Sequence, residues 1–346
     1  MAIEQRKLGS TGITVSPLCL GAMMFGAWGN TDHEDCIRII HRALDAGINF
    51  IDTADVYSRG ESEEIVGKAL KGPPSRRDSV VLATKVHGTM GDDPNQFGNS
   101  RRWIVKEVDN SLRRLGTDWI DLYQIHRPEP DTDIDQTLGA LSDLVRAGKV
   151  RAIGSSTFPA HEIVRAQWVA HKRGRERFVC EQPPYSMLTR AIEADVLPVC
   201  QSYGMGVIPW SPLGGGWLSG RYGRGGDSPA SSRRAQMIPA RYDMSDPDNQ
   251  RKLAAAQALG ELAQESGMSL IELALAFVNT HPAVTAAIIG PRTMEQLDSQ
   301  LPALDRSLSA DVLDRIDEIV APGVNVRPAD RGWDPPWLTD PSRRRR

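Results

Sequence analysis

Residues 47–57 read GINFIDTADVY, and this stretch decides the fold. Its apolar run, Ile48–Ile51, has the length and composition of a buried strand, and it ends on a carboxylate, Asp52. Tyr57 follows on the next loop. Two later stretches have the same build: Val80–Ala83 in SVVLATK leads to Lys85, and Ile120–Ile125 in WIDLYQIH leads to His126. A titratable side chain at the C-terminal end of a buried strand points into whatever lies above the sheet. Asp52, Tyr57, Lys85 and His126 are therefore expected to meet at one face.

Further runs extend the series in both directions. Strands are expected at Leu18–Gly21, Ile48–Asp52, Ser79–Lys85, Trp119–His126, Val150–Ser155, Phe178–Gln182, Gly206–Trp210 and Val284–Ile289. Most are continuous rather than alternating, the pattern of strands covered on both faces in a parallel sheet. Helical period fills the gaps: Ile104, Val108, Leu112 and Leu115 share a face, as do Ile134, Leu138, Leu141 and Leu144. Eight strands separated by crossover helices close most naturally into an α/β (β/α)8 barrel. A doubly wound sheet is the runner-up, but Leu20–Gly26 lacks its GxGxxG turn. RKLGSTGITVSP before the first strand reads as a small hairpin. Residues 211–247, rich in Gly, Ser, Pro and Arg, read as a long loop after the seventh strand, followed by helical segments over 248–266 and 269–280. The domain expectation is one barrel spanning 1–346, with a core over about 6–321 and a C-terminal tail over 322–346 that opens after a helical run (Val312, Ile316, Ile319).

Composition sets outer bounds. The 346 residues carry a formal charge of −3, with 40% apolar and 25% charged residues, as in ordinary globular proteins. That balance argues against nucleic acid or a membrane surface as partner. Cys19, Cys36, Cys180 and Cys200 show neither CxxC nor zinc spacing, so no metal site is expected and a reducing compartment is. No secretory leader is visible in MAIEQRKLGSTG, and no apolar stretch approaches the roughly 20 residues of a membrane span. A cytoplasmic protein is the expectation; the oligomeric state is not legible.

The four strand-end residues suit proton chemistry at a carbonyl. A Lys ammonium beside a Tyr hydroxyl favours the phenolate and makes the Tyr a better acid. Asp52 would hold Lys85, and His126 would orient the carbonyl oxygen. None of them supplies electrons, so a nicotinamide cofactor is the simplest hydride source. Taken singly, each has a plain reading as a cap, a packed aromatic, a solvated lysine or a satisfied histidine. Four at successive strand ends do not share one.

These motifs, with SLRRLGTDWIDLYQIHRPEP and GKVRAIGSS, resemble the aldo-keto reductase superfamily in its longer microbial and potassium-channel-β-like branch, from about Arg6 to about Ala321. The resemblance implies NADP(H) lying across the strand ends, with Tyr57 as general acid/base, Lys85 and Asp52 tuning it, and His126 orienting the substrate. It also implies cofactor contacts at Gly21, Met23, Asp52, Ser155, Ser156 and Gln182, with Trp210 stacking on the nicotinamide. Ser211, Leu213 and Gly215 would meet the pyrophosphate through backbone N–H groups, and Arg292 and Thr293 would grip the 2′-phosphate. Gln296 and Gln300 stand where many members carry Arg and Asn, so NADPH is favoured and NAD(H) use is left open. Trp28 and Phe97, with Tyr57 and His126, would wall the substrate pocket, Tyr222 less so; such a pocket suits aldehydes and ketones with apolar bodies.

Two alternatives to a carbonyl reductase accompany this expectation. One is a cofactor-sensing regulatory subunit with little turnover. The other is a reductase of a nucleotide-linked keto sugar, whose phosphates would call on Arg221, Arg224, Arg233 and Arg234.

Overall fold

A computed structural model describes residues 4–72, 76–222, 227–231 and 233–345, of which 233 and 234 by backbone alone. Eight parallel strands form the barrel: β3 (Leu18–Gly21), β4 (Phe50–Asp52), β5 (Val81–Val86), β6 (Ile120–Ile125), β7 (Val150–Ser156), β8 (Cys180–Gln182), β9 (Gly206–Val207) and β10 (Ala287–Ile289). From β3 to β9 each pairs with the next, and β10 pairs with β3. The last seam is narrow: Thr285 N–H donates to Val207 O (2.8 Å) and Ile288 N–H to Pro209 O (2.9 Å). The strand expected over Gly206–Trp210 stops at Val207, and Pro209 has no N–H to extend the ladder. A two-stranded hairpin, β1 (Arg6–Lys7) with β2 (Thr14–Val15), precedes the barrel.

The crossovers are helical, as the periodicity predicts. They are α1 (His33–Asp45), α2 (Glu61–Leu70), α3 (Arg101–Leu115), α4 (Ile134–Arg146), α5 (Ala160–Arg173) and α6 (Val196–Ser202). Local chemistry sets their ends. Ser100 caps α3 by accepting from Trp103 N–H, and Gly116 closes it at φ 62°. The segment after the seventh barrel strand holds more structure than a loop: α7 (Arg233–Met237) and short 3-10 turns lead into α8 (Pro247–Glu265) and α9 (Leu270–Thr280). A Ser269/Glu272 capping box opens α9. Then come α10 (Met294–Gln300), α11 (Ala310–Ile319) and α12 (Pro336–Thr339). No helix among the described residues is long and apolar enough to cross a membrane.

Side chains alternate across a strand, and here that parity builds the site. The bore is filled by Cys19, Phe50, Ala83, Leu122, Ala152, Cys180, Ile208 and Ile288, with Leu8 and Val15 of the hairpin in the same cluster. Two residues further along the same strands stand Gly21, Asp52, Lys85, Gln124, Gly154, Gln182 and Trp210, so they share the inward face nearer the C-terminal mouth. The alternate positions, such as Leu20, Ile51, Leu82 and Tyr123, face the helices and join the larger outer core.

The C-terminal tail folds back over that mouth. Val326 N–H donates to Leu188 O and Arg190 N–H to Val324 O (both 3.0 Å). Asp330 pairs with Lys252 at 2.7 Å. Gly332 lies so close to Trp210 that a Cβ there would sit 2.7 Å from Cζ2 of the indole.

Candidate active site

Lys85 is fully buried at the top of the bore. Its ammonium donates to Asp52 Oδ1 (2.5 Å), to the carbonyl of Thr53 (2.8 Å) and to Tyr57 Oη (3.2 Å). Burial alone would lower its pKa. The Asp52 carboxylate and the Tyr57 side chain outweigh burial and hold it above the ordinary lysine value. Asp52 is held from its other oxygen by the amides of Gln124 (3.1 Å) and Gln182 (3.0 Å). Gln124 was not among the expected site residues, although WIDLYQIH places it two positions before His126 and hence on the same face.

Tyr57 sits on a turn with an unusual backbone. Ser58 and Arg59 follow it at φ 49° and 55°, and Gly60 at φ 96°. A Cβ on Gly60 would lie 2.6 Å from Cδ of Arg114. That arginine is locked between the buried Glu63 and Glu107 (2.6 and 2.5 Å). The turn is thus pressed onto a rigid base, which fixes where the phenol points. The Tyr57 ring stands 5.6 Å from His126, edge-on, and 6.0 Å from Trp28.

His126 has its pKa driven well below the usual imidazole value, by burial first and then by the charges of Arg127 and Lys85. It is neutral at pH 7. A neutral imidazole is a hydrogen-bond donor but a poor proton source, which leaves Tyr57 as the acid of the pair.

One expected residue faces elsewhere. Ser155 has odd parity on β7, points out of the bore, and spends its hydroxyl on Glu181 at 2.5 Å. The two hydroxyls gathered at the mouth are instead those of Ser156 and Thr157. Ser156 Oγ donates to Gln182 O (2.9 Å), and Thr157 Oγ1 accepts from the indole N–H of Trp210 (3.4 Å). The pair of hydroxyls beside Trp210 is thus that of Ser156 and Thr157, where the expectation had Ser155 with Ser156.

Glu181 is itself fully buried. Burial pushes its carboxyl up to about 7, against the Ser155 hydroxyl and the Phe158 N–H that favour the ionised form. A folded value above the ordinary 4.5 stabilises the protein below that pH, and the contribution is lost as pH rises towards 7. Glu181→Gln removes the buried ionisation. Its melting temperature should gain on the parent between about pH 5 and pH 8, with a widening on the order of 2–3 kcal/mol. Parallel melts at the two pH values check this; a constant difference would show that the fold does not raise the Glu181 carboxyl.

The remaining expected contacts fall into two groups. Gly21 ends β3 beside Asp52, and Met23 follows half-buried. Ser211 adopts φ 58°, and Gly214, Gly215 and Gly216 all have positive φ, turning the chain after Trp210. Leu213 accepts from Gly216 N–H within that turn, and Tyr242 Oη donates to Gly215 O at 2.7 Å. At the far side, Thr293 caps α10 by accepting from Gln296 N–H, and Gln296 Oε1 accepts from Arg292 N–H (2.8 Å). Gln300 is buried with Oε1 unpartnered.

Among the pocket candidates, Phe97 is 40% exposed and stacks edge-on against His87 at 4.7 Å. Tyr222 is buried in the core against Trp217. Arg221 lies 3.9 Å from Asp227. Arg224 and the side chains of Arg233 and Arg234 lie outside the described residues. Arg127 stands next to His126 and donates to its carbonyl, which puts a guanidinium near the aromatic candidates.

The sequence model described as the aldo/keto reductase family matches residues 17–321. The chain is 38% identical to the uncharacterized oxidoreductase YrpG of Bacillus subtilis, over 96% of this chain and all of that protein. It is 32% identical to the versiconal hemiacetal acetate reductase of Aspergillus parasiticus (95% and 100%). To a probable voltage-gated potassium channel subunit beta of Oryza sativa it is 34% identical (92% and 97%).

Proposed function

The chain belongs to the aldo/keto reductase family, and from that premise we propose that it is an NADPH-dependent reductase of aldehydes and ketones in which Tyr57 gives the proton. Family membership supports an oxidoreductase acting on carbonyl groups. The finer reading is carried by one observation: a Tyr hydroxyl bonded to a buried, carboxylate-held lysine, beside a neutral histidine.

Each residue has a distinct task. His126 donates a hydrogen bond to the carbonyl oxygen and orients it. Tyr57 passes its proton to that oxygen as charge develops there. Lys85 stabilises the phenolate left behind, at the cost of nothing new, because its charge is already formed and held. Asp52, fixed by Gln124 and Gln182, keeps that ammonium in place. Positioned acid catalysis of this kind is worth about 10²–10⁴-fold.

The bound nicotinamide supplies the hydride. The residues present fit such a group. Ser156, Thr157 and the Oε1 of Gln182 offer polar partners for a carboxamide beside the flat face of Trp210. The positive-φ turn Gly214–Gly216 presents backbone without side-chain bulk, as a pyrophosphate requires. The orphaned Oε1 of Gln300 accepts from a donor such as an adenine amino group. Arg292 supports a preference for the 2′-phosphate, as a single guanidinium.

Loss of NADPH absorbance with a panel of aromatic and aliphatic aldehydes tests the activity. Tight NADPH binding without turnover would move the reading to a cofactor-sensing role. Arg292→Ala should weaken NADPH about 10- to 100-fold and leave NADH within about twofold, since only the former loses a charge-assisted contact. Fluorescence titration of both cofactors reads this directly; equal losses would show that Arg292 does not meet the 2′-phosphate.

A further inference from the structure

Arg127 follows His126 and has no part in the proton chemistry. Arg127 is half-buried, and its guanidinium is bonded through one nitrogen only. Nη1 donates to the carbonyl of His126 (2.5 Å) and, at 3.4 Å, to Ser156 Oγ. Its Cζ lies 5.9 Å from the centre of the Trp210 ring. These contacts place it at the mouth, between the residue that orients the carbonyl and the wall that carries Trp210.

What distinguishes Arg127 is its lack of a counter-ion. The buried guanidiniums of Arg77, Arg114 and Arg190 each meet a carboxylate, at 2.8, 2.5–2.6 and 2.7–2.8 Å. Arg127 forms no ion pair among the described residues. The acids around it are turned to other work. Glu129, two residues on, accepts from Asn99 N–H (2.5 Å). Glu181 is committed to Ser155 and to Phe158 N–H. His87, across the mouth, is held neutral by burial and bonded to Asn99, so it offers no charge either. Asn99 also donates to the carbonyl of Arg127 (3.0 Å), which ties the two loops and fixes the backbone that carries the guanidinium. An arginine stays protonated even when half-desolvated, and leaving such a charge unpaired is costly. Its free N–H groups form a fork matched to two oxygens of one anion.

We propose that Arg127 binds an anionic oxygen group, a carboxylate or a phosphate, carried by the carbonyl substrate, so that acidic aldehydes and ketones are preferred over neutral ones of the same size. The proposal rests on the carbonyl-reductase reading of the same site. It also revises the apolar pocket expected from Trp28 and Phe97: the aromatic rings form one wall, and a fixed cation stands beside the reacting oxygen.

The test uses the full chain with NADPH and two matched pairs: 4-carboxybenzaldehyde against 4-methylbenzaldehyde, and glyceraldehyde 3-phosphate against glyceraldehyde. The parent should favour the anionic member of at least one pair by about tenfold or more in kcat/KM. Which pair shows it separates carboxylate from phosphate. Arg127→Gln should erase the preference, about 10- to 100-fold and chiefly through KM, while the neutral member and the NADPH dissociation constant hold. Arg127→Lys should keep part of it. Calorimetric titration of the two anionic compounds, parent against Arg127→Gln, reads the same contact without turnover. Anion binding that depends on Arg127, with no reduction of any compound, would uphold the inference and sink the carbonyl-reductase reading. Turnover of neutral aldehydes with no anion preference would do the reverse. Equal losses for neutral and anionic substrates in Arg127→Gln, with weakened NADPH, would overturn the inference by assigning the guanidinium to the cofactor.

Discussion

Tyr57→Phe should reduce carbonyl turnover by about 10²–10⁴-fold and leave NADPH binding unchanged. The substitution removes one hydroxyl and little else. The ring keeps its neighbours, Trp28 and His126, and the turn that holds it depends on Ser58, Arg59, Gly60 and Arg114, not on the phenol oxygen. Lys85 loses one of three acceptors but retains Asp52 and the Thr53 carbonyl. The fold therefore has no reason to move. His126 cannot take over the proton, because its ring is already neutral at working pH. Steady-state loss of NADPH absorbance, beside a fluorescence titration of cofactor, makes the comparison. Turnover near the parent level would remove Tyr57 from the acid's role. Joint loss of turnover and NADPH binding would mark the residue as structural.

Lys85→Met should have the second large effect, and it should act on both activity and stability. Methionine fills a similar volume but withdraws the charge. Asp52 is then left 2% exposed with only the amides of Gln124 and Gln182. Breaking one side of a buried ion pair costs about 3–5 kcal/mol. Turnover should fall as far as in Tyr57→Phe, since the phenolate loses its stabilising cation. The two effects separate in the double variant. Asp52→Asn with Lys85→Met removes the stranded carboxylate, so much of the stability should return while turnover stays lost. Urea unfolding of the four proteins gives the coupling energy. A double variant no more stable than the single one would mean that the pair is not coupled. An active Lys85→Met would confine Lys85 to a structural role.

The sequence carried much of the barrel because its signals are local. Apolar runs at a regular interval give eight parallel strands, and the residues ending three of those runs already name Asp52, Lys85 and His126. The same period of two, carried further, separates Ser155 from Ser156 and admits Gln124. Ser155 is three positions from Ala152, which fills the bore, and so must face the helices; Gln124 is two from Leu122 and must face the mouth. Both facts were present in the sequence, but matching a motif by its residue types overlooks parity.

Other features have no local signal. Arg127 and Trp210 stand far apart in the chain, and their approach depends on how two separate loops leave the barrel. The Gly332 contact with Trp210 depends on the path of a tail whose composition reads only as irregular. Likewise, a glutamate in a strand gives no hint that burial will push its carboxyl to about 7. By itself the sequence determined which residues face inward at each strand end, because strand geometry converts spacing into direction. Only the tertiary structure decided which loops meet above the barrel, which charges find partners there and which, like Arg127, do not, because those outcomes are set by chain paths and burial rather than by any repeat along the chain.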